Sequence, residues 1–349
     1  MSHVMIGMSG GVDSSVAAAL MQEQKYTVTG VTLKLHNEMS DSGTCGSASE
    51  ALFAQGIAKE LGFEHVLLDY SNDFDHYVIS DFINEYMSGR TPNPCTVCNK
   101  HIKFGAMLDY ALREGAEYVA TGHYAKCVSM GSRMLLTRAK DPSKDQTYML
   151  WGLTQEQLKH VQFPLGNLLK SEVREIAAER GFMNADKPDS QDICFVPNGD
   201  YAEFIERRTG QKAKIGDFID IAGNVLGKNN GVIRYTIGQR KGLGIALGKP
   251  AFVVNKDAVS GNVTLGENTD LFSRRVNLER INLIAADKFD TPILVQAKIR
   301  YNGGASGAVF TQTENGGLLE FKEPQRAVTP GQSAVFYDGD TVIGGGIIV

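Results

Sequence analysis

Gly7-Met8-Ser9-Gly10-Gly11-Val12-Asp13-Ser14-Ser15 follows the apolar run Val4-Met5-Ile6 and opens into Val16-Ala17-Ala18-Ala19-Leu20-Met21. A short apolar stretch, two adjacent glycines and a run of good helix formers read as strand, tight loop and helix. Such a junction suits an anion. Glycines admit a close approach of the backbone, serine hydroxyls donate, and free amides at a helix start carry a positive field. The loop lacks the Gly-Lys-Ser/Thr ending of a Walker loop, and its glycines do not fit G-x-G-x-x-G. Kinases, GTPases and Rossmann dehydrogenases are therefore poor readings. The plainer alternative is a glycine turn capped by Asp13 with no ligand.

Outward from this loop, strand and helix alternate. Residues 27–33 read as a second buried strand, Ser47-x-x-Glu50 as a capping box opening a helix that ends at Gly62, and residues 65–69 as a third strand before a helical stretch at 73–87. Residues 118–121 are the next strand. This spacing implies βαβ units and a parallel sheet covered on both faces. Ligands of such sheets sit beyond the carboxyl ends of the strands, so the Ser9 loop and the segments after Leu33 and Ala120 should border one crevice. Thr154-x-x-Gln157 and Ser171 open two further helices, the second ending at Gly181. From about Gly210 the texture changes to short, glycine-rich strands, with more strands at 293–299, 307–311, 318–321 and 333–337. These predict an α/β domain over 1–209, a β-rich central domain over 210–274 and a closed β-barrel over 275–349.

One segment breaks the alternation: Gly89-Arg90-Thr91-Pro92-Asn93-Pro94-Cys95-Thr96-Val97-Cys98-Asn99. Two prolines predict a stiff loop, with Asn99 capping a helix from Lys100 to Glu114 and Cys98 just before its amino terminus, where thiolate is favoured. Alone, C-x-x-C stays open between a half zinc site, a redox pair and part of an iron-sulfur site. The five cysteines do not look like a secreted disulfide framework. No apolar run approaches the roughly 20 residues of a membrane span, and no signal-peptide pattern follows Met1, so a cytoplasmic protein is expected.

Net charge is −5, unevenly spread. Residues 1–200 carry 17 basic and 25 acidic side chains, against 18 and 15 in 201–349. Between Ile221 and Lys256 lie Lys228, Arg234, Arg240, Lys241, Lys249 and Lys256 with no acidic residue, a candidate phosphate-backbone surface or a solubilising face.

Ser9 to Ser14 resembles the Ser-Gly-Gly-x-Asp-Ser signature of the PP-loop ATP pyrophosphatases, whose adenine nucleotide α-hydrolase-like domain is built on a parallel sheet. The resemblance narrows with Thr91–Cys95 leading to Cys98-Asn99-Lys100, Thr121-Gly122-His123-Tyr124, Lys144-Asp145-Gln146, Asp189–Phe195, Tyr235–Gly244, Arg300-Tyr301 and Pro330–Val335. These stand in the order and spacing of the tRNA-specific 2-thiouridylases, over essentially the whole chain. The resemblance implies ATP and Mg2+ as cofactors and the wobble uridine of tRNA as substrate. It also implies a sulfur donor: a persulfide carrier, a cysteine desulfurase or free sulfide. A monomer with no membrane partner is expected.

By the same resemblance Gly7, Met8, Ser9, Gly10, Gly11, Val12, Asp13, Ser14, Leu33 and Gly122 contact ATP, with Asp13 needed for adenylation. Asn93, Pro94 and Cys95 touch the target base, and His123, Lys144, Asp145, Gln146, Arg300, Tyr301 and Gln332 the tRNA. Arg240 and Lys241 join them from the basic block. A uracil carbonyl is a poor electrophile with a poor leaving oxygen, so adenylation turns that oxygen into part of AMP before sulfur attacks. Cys194 would carry the sulfur as a persulfide, and Cys98 would free the product through a transient disulfide. Many family members have Asp in place of Cys95, so an acid/base role there does not carry over. Cys95, Cys98 and Cys194 could instead hold a [4Fe-4S] cluster with one open iron. Cys45 and Cys127 are expected to be structural. The rival readings are another PP-loop adenylating ligase and a non-catalytic RNA-binding or metal-carrying protein.

Overall fold

In the computed structural model, which describes residues 1–36, 48–185, 193–196 and 198–349, β1 (His3–Gly7) runs into α1 (Val12–Glu23) through the glycine loop. The strands that follow are β2 (Thr27–Lys34), β3 (Glu64–Asp69), β4 (Tyr118–Thr121), an antiparallel hairpin of β5 (Lys126–Met130) and β6 (Arg133–Thr137), and β7 (Val161–Gln162). Five of them form a parallel sheet in the order β3-β2-β1-β4-β7, with Val4 opposite Val28 and Gly7 opposite Thr121. β1 has β2 on one side and β4 on the other, so the strand order reverses beside the glycine loop, where such sheets open a crevice. Val4, Ile6, Val16, Ala17 and Ala18 are fully buried; the small alanines let α1 lie close on the sheet. β7 escaped the sequence reading because two residues carry no period.

Helix α2 (Ala48–Leu61) begins just after residues outside the described set, as does the Ser47 end of its expected capping box. The Thr154 box forms as read: its hydroxyl accepts from the Gln157 amide, and the Gln157 side chain accepts in return from the Thr154 amide.

The cysteine segment requires a correction. Helix starts at Pro94, runs to Cys98, widens through a π-helical stretch at Asn99–Ala106 and continues to Arg113. Asn99 caps nothing; its Nδ2 donates to the Met149 carbonyl at 3.0 Å. A proline breaks a helix interior but suits a first helical position, where its missing N–H has no partner to lose. Cys98 is therefore the fifth helical residue, and the helix-start field expected to favour its thiolate falls on the turn holding Cys95.

By internal contacts the chain forms two compact units. Unit 1 is Met1–Ile79, Pro94–Pro197 and Asp338–Gly344; unit 2 is Ser80–Asn93, Asn198–Tyr337 and Gly345–Val349. Ser80–Met87 joins unit 2 through aromatic packing, Phe82 against Phe204 and Tyr86 stacked on Tyr201 at 4.6 Å between ring centres. Unit 2 contains a four-stranded sheet of β8 (Asp217–Ile219), β9 (Val225–Lys228), β10 (Phe252–Lys256) and β11 (Val263–Gly266) in the order β10-β11-β8-β9. The barrel strands are β12 (Phe272–Leu283), β13 (Ile293–Lys298), β14 (Ser306–Thr313), β15 (Gly316–Arg326), β16 (Ser333–Asp338) and β17 (Thr341–Ile348). They run β12-β15-β14-β13-β16-β17 and close where β12 pairs with β17, over a core that includes Phe310 stacked on Phe336.

Candidate adenylation and sulfur-transfer site

The glycine loop is held from four directions. Gly10 adopts φ +70, and a side chain there would meet the Glu50 carbonyl oxygen at 2.7 Å. Ser14 Oγ accepts from the Ser9 amide and, with Ser15 Oγ, donates to the Gly11 carbonyl, so the hydroxyls read as anion donors are turned onto the loop itself. Thr32 Oγ1 donates to the Met8 carbonyl at 2.8 Å and lies 2.9 Å from His65 Nε2. Because the single hydroxyl proton of Thr32 is already given to Met8, His65 Nε2 is the donor in that pair. Asn184, almost fully buried, donates to the Gly10 carbonyl and to Ser15 Oγ at 3.0 Å each. Leu33 is the penultimate residue of β2, next to Thr32 in the chain.

Asp13 sits in the first turn of α1 with both carboxylate oxygens engaged. Lys170 Nζ lies 2.7 and 2.8 Å from them, and the Tyr124 hydroxyl donates to Oδ1 at 2.8 Å. The Lys170 side chain is 10% exposed and that of Asp13 29%, so the ammonium is nearly dry while the carboxylate still faces solvent on one side. Gly122 completes the wall: a Cβ there would lie 2.8 Å from the Asp13 carbonyl carbon and 2.9 Å from the Ser14 nitrogen. Only glycine allows β4 and α1 to approach so closely. Mg2+ takes a carboxylate or two plus substrate phosphates, and Asp13 is the one carboxylate the loop offers. Lys170, Asn184 and the Thr32–His65 pair were invisible to motif reading; they lie far from the loop in sequence and match no spacing.

His123 Nδ1 lies 2.7 Å from Thr121 Oγ1 at the end of β4. Burial, reinforced by the Lys103 charge, holds its imidazole well below the ordinary value, so it is neutral at physiological pH. Cys98 is buried and Cys95 exposed. Enough chain nevertheless surrounds Cys95 to push its thiol up, against the pull of Lys103. Cys194 is half-buried, followed by buried Phe195, whose ring packs edge-on against Phe74 at 5.6 Å. The Val196 amide donates to the Ile193 carbonyl, closing a turn around Cys194. The Cys127 thiol is pushed up to about 12 by burial. Cys45 and Asp189–Asp192 lie outside the described residues.

The cluster alternative does not fit this arrangement. Among the described residues no three His, Cys, Asp or Glu side chains converge to hold a metal, and Cys95, Cys98 and Cys194 are all described. No step is derived through a cluster.

Three family models match along the chain. They are described as a tRNA methyl transferase HUP domain over residues 2–198, a tRNA methyl transferase PRC-barrel domain over 202–267 and an aminomethyltransferase beta-barrel domain over 273–348. The tRNA-specific 2-thiouridylase MnmA of Acetivibrio thermocellus is 49% identical over 353 residues, covering 99% of this chain and 98% of its own. Proteins of the same name from Clostridioides difficile and Clostridium acetobutylicum are 48% and 47% identical, each over 99% of this chain and over 97% and 99% of their own. The chain belongs to the tRNA-specific 2-thiouridylase family.

As a 2-thiouridylase-family chain it carries further residues expected to meet RNA, and several are committed elsewhere. Asp145 is buried and accepts from the Ala139 amide and the Thr147 hydroxyl, while Gln146 trades hydrogen bonds with the Tyr124 backbone; Lys144 and Gln146 are both half-buried. Gln332 Nε2 donates to the Thr91 carbonyl at 2.8 Å and reaches Pro92 O at 3.3 Å, so it anchors the backbone leading to Asn93 and Pro94. Arg300 donates to the Arg326 carbonyl, and Lys298 lies over the Tyr301 ring.

The basic block is smaller than its sequence suggests. Lys228 pairs with Asp217, Arg234 with Glu206 and Lys249 with Glu267, acids contributed from outside the 221–256 window. Burial pushes Lys256 down to about 8. Arg240 and Lys241 remain exposed, with Arg240 lining a concavity of about 470 Å³ together with Leu243, Ile245, Leu247 and Lys249.

Proposed function

We propose that this chain 2-thiolates the wobble uridine of tRNA at the expense of ATP, in the cytoplasm, as a tRNA-uridine 2-sulfurtransferase. The observation that carries the reading is the glycine loop, locked around the start of α1 with the Asp13–Lys170 ion pair, in the same compact unit as Cys98 and Cys194. Residues 1–209, 210–274 and 275–349 serve as catalytic, central and barrel domains.

In this reading the loop amides and Gly122 seat the ATP phosphates. The uridine carbon-2 oxygen attacks the α-phosphorus, the bond to the β-phosphate oxygen breaks, and the electron pair leaves with pyrophosphate. ATP brings Mg2+, whose charge offsets that of the phosphates. A persulfide on Cys194, loaded by an external donor, attacks carbon 2; AMP departs and a Cys194–S–S–carbon adduct remains. Cys98 thiolate then attacks Cys194 Sγ, leaving sulfur on the base and a Cys98–Cys194 disulfide that an external thiol reduces. Asn93, Pro94 and Cys95 wall the extruded base, whose removal from the anticodon stack a stiff pocket favours. His123, Lys144, Arg240, Lys241, Arg300 and Tyr301 meet the RNA.

The test follows pyrophosphate and product together, using purified chain, ATP, unmodified tRNA and a persulfide donor. Pyrophosphate release that requires tRNA, with one 2-thiouridine formed per turnover, is the expected result. Release that requires ammonia and ignores tRNA would replace this reading with an amide-forming ligase.

A further inference from the structure

The glycine loop has no cation of its own: it lacks the lysine of a Walker loop, and no Lys or Arg occurs before Lys25. Yet a pyrophosphate leaving group gains negative charge as its bond to the α-phosphorus breaks, and fixed positive charge at that position is a large source of rate. The fold brings a cation there from 157 residues downstream. Lys170 opens the Lys170–Glu179 helix, its backbone N–H fixed on Asp141 Oδ2 at 3.0 Å and its ammonium on Asp13 beside the loop. The Tyr124 ring lies 5.9 Å from the same ammonium. Burying the Lys170 ammonium beside a half-exposed carboxylate is weak evidence for a stabilising role, since the desolvation of the ammonium offsets much of the attraction.

Resting on the adenylation reading, we propose that Lys170 is the pyrophosphate cation of this enzyme, meeting the β,γ-phosphates and compensating the charge that develops on them. As uridine oxygen bonds to the α-phosphorus, the electron pair of the breaking bond goes to pyrophosphate, and the uridine N3 proton is lost to water. Lys170 stays protonated throughout and supplies charge alone.

The experiment measures binding of ATP, inorganic pyrophosphate and AMP to the parent, Lys170→Met, Lys170→Arg, Asp13→Asn and the double variant Asp13→Asn/Lys170→Met. Folding is checked by thermal melting. Lys170→Met should weaken ATP and pyrophosphate at least about tenfold while leaving AMP within about twofold, and should slow tRNA-dependent pyrophosphate release about 100-fold. Lys170→Arg should keep the preference for pyrophosphate over AMP. The double variant leaves no stranded carboxylate and should bind pyrophosphate more poorly than Asp13→Asn alone, which lacks the same carboxylate but keeps Lys170. Pyrophosphate affinity in the double variant equal to that of Asp13→Asn would mean Lys170 only neutralises Asp13, and equal losses for all three ligands would mean it only holds the fold; either overturns the proposal. If the parent itself binds pyrophosphate but never releases it in response to tRNA, the adenylation reading fails while the Lys170 assignment is still decided by binding.

Discussion

The Asp13 loop and the cysteine segments belong to the same compact unit, and they differ in how their reactive groups are held. Around Asp13 every element is tied: Gly10 to Asn184, Met8 to Thr32, the carboxylate to Lys170 and Tyr124. Around the thiols, Cys98 is buried, Cys95 exposed and Cys194 half-buried, with no ligand-like convergence among the described residues. A nucleotide half tied together by its own hydrogen bonds, beside thiols that share no common metal site among the described residues, fits an enzyme that activates its substrate before committing sulfur to it. Rigid placement is worth most where charge develops, and a reactive persulfide is safest when it meets only an activated base.

The widest separation of the two halves comes from Cys194→Ser and Cys98→Ser. Each should abolish 2-thiouridine formation, a loss of at least about 1000-fold, because a serine hydroxyl can neither carry a persulfide nor form the releasing disulfide. Each should leave tRNA-dependent pyrophosphate release within a few-fold of parental. Product measured by mass spectrometry and pyrophosphate by a coupled assay decide this from one reaction. Loss of pyrophosphate release in Cys194→Ser would show that the halves are assembled together, and the contrast would collapse.

Gly122→Ala attacks the other half with a smaller effect. The added carbon would fall within 3 Å of two backbone atoms at the start of α1, which cannot rotate aside. Overpacking of this kind costs about 1–3 kcal/mol, and if the helix start yields rather than the strand, ATP affinity should fall about tenfold. Calorimetric titration with ATP checks it. Parental ATP binding with a lowered melting temperature would place the strain in the fold and leave the nucleotide seat intact.

The same contrast explains what the sequence could disclose. The glycine loop was legible because its strand, turn and helix are consecutive, and the parallel sheet because β1 to β4 are long enough to show a pattern. Lys170 was not, since nothing at Leu169-Lys170-Ser171 distinguishes it from an ordinary helix start; only the sheet order brings it to Asp13. The cysteine helix was misplaced because Pro94 reads as a breaker until it is known to occupy a first turn. The basic block was overestimated because Asp217, Glu206 and Glu267 lie outside the window that defined it. Ser80–Met87 reads as one more helix of the parallel-sheet domain, and only the Phe82–Phe204 and Tyr86–Tyr201 contacts assign it to unit 2.

The smallest expected effect is a pH dependence to which the nucleotide half contributes through His65. Burial lowers the His65 pKa below its ordinary 6.5 while its Nε2–H supports Thr32, which in turn holds the Met8 carbonyl. Above pH 6.5 the imidazole is neutral in both folded and unfolded chains and contributes no pH dependence. As pH falls below 6.5 the unfolded chain takes up the proton first, so stability drops until the folded-state pKa is reached. His123, lowered further by burial and Lys103, adds to the same slope over a wider range. Melting temperature should therefore decline from pH 6.5 to 5.5, and His65→Gln, which can still donate to Thr32 but cannot titrate, should reduce that decline. Cys98→Ser should melt with the parental slope. An unchanged slope in His65→Gln would remove His65 from the titrating set, and a flattened slope in Cys98→Ser would show that the Cys98 thiol itself takes part in the acid sensitivity that the histidines are assigned here.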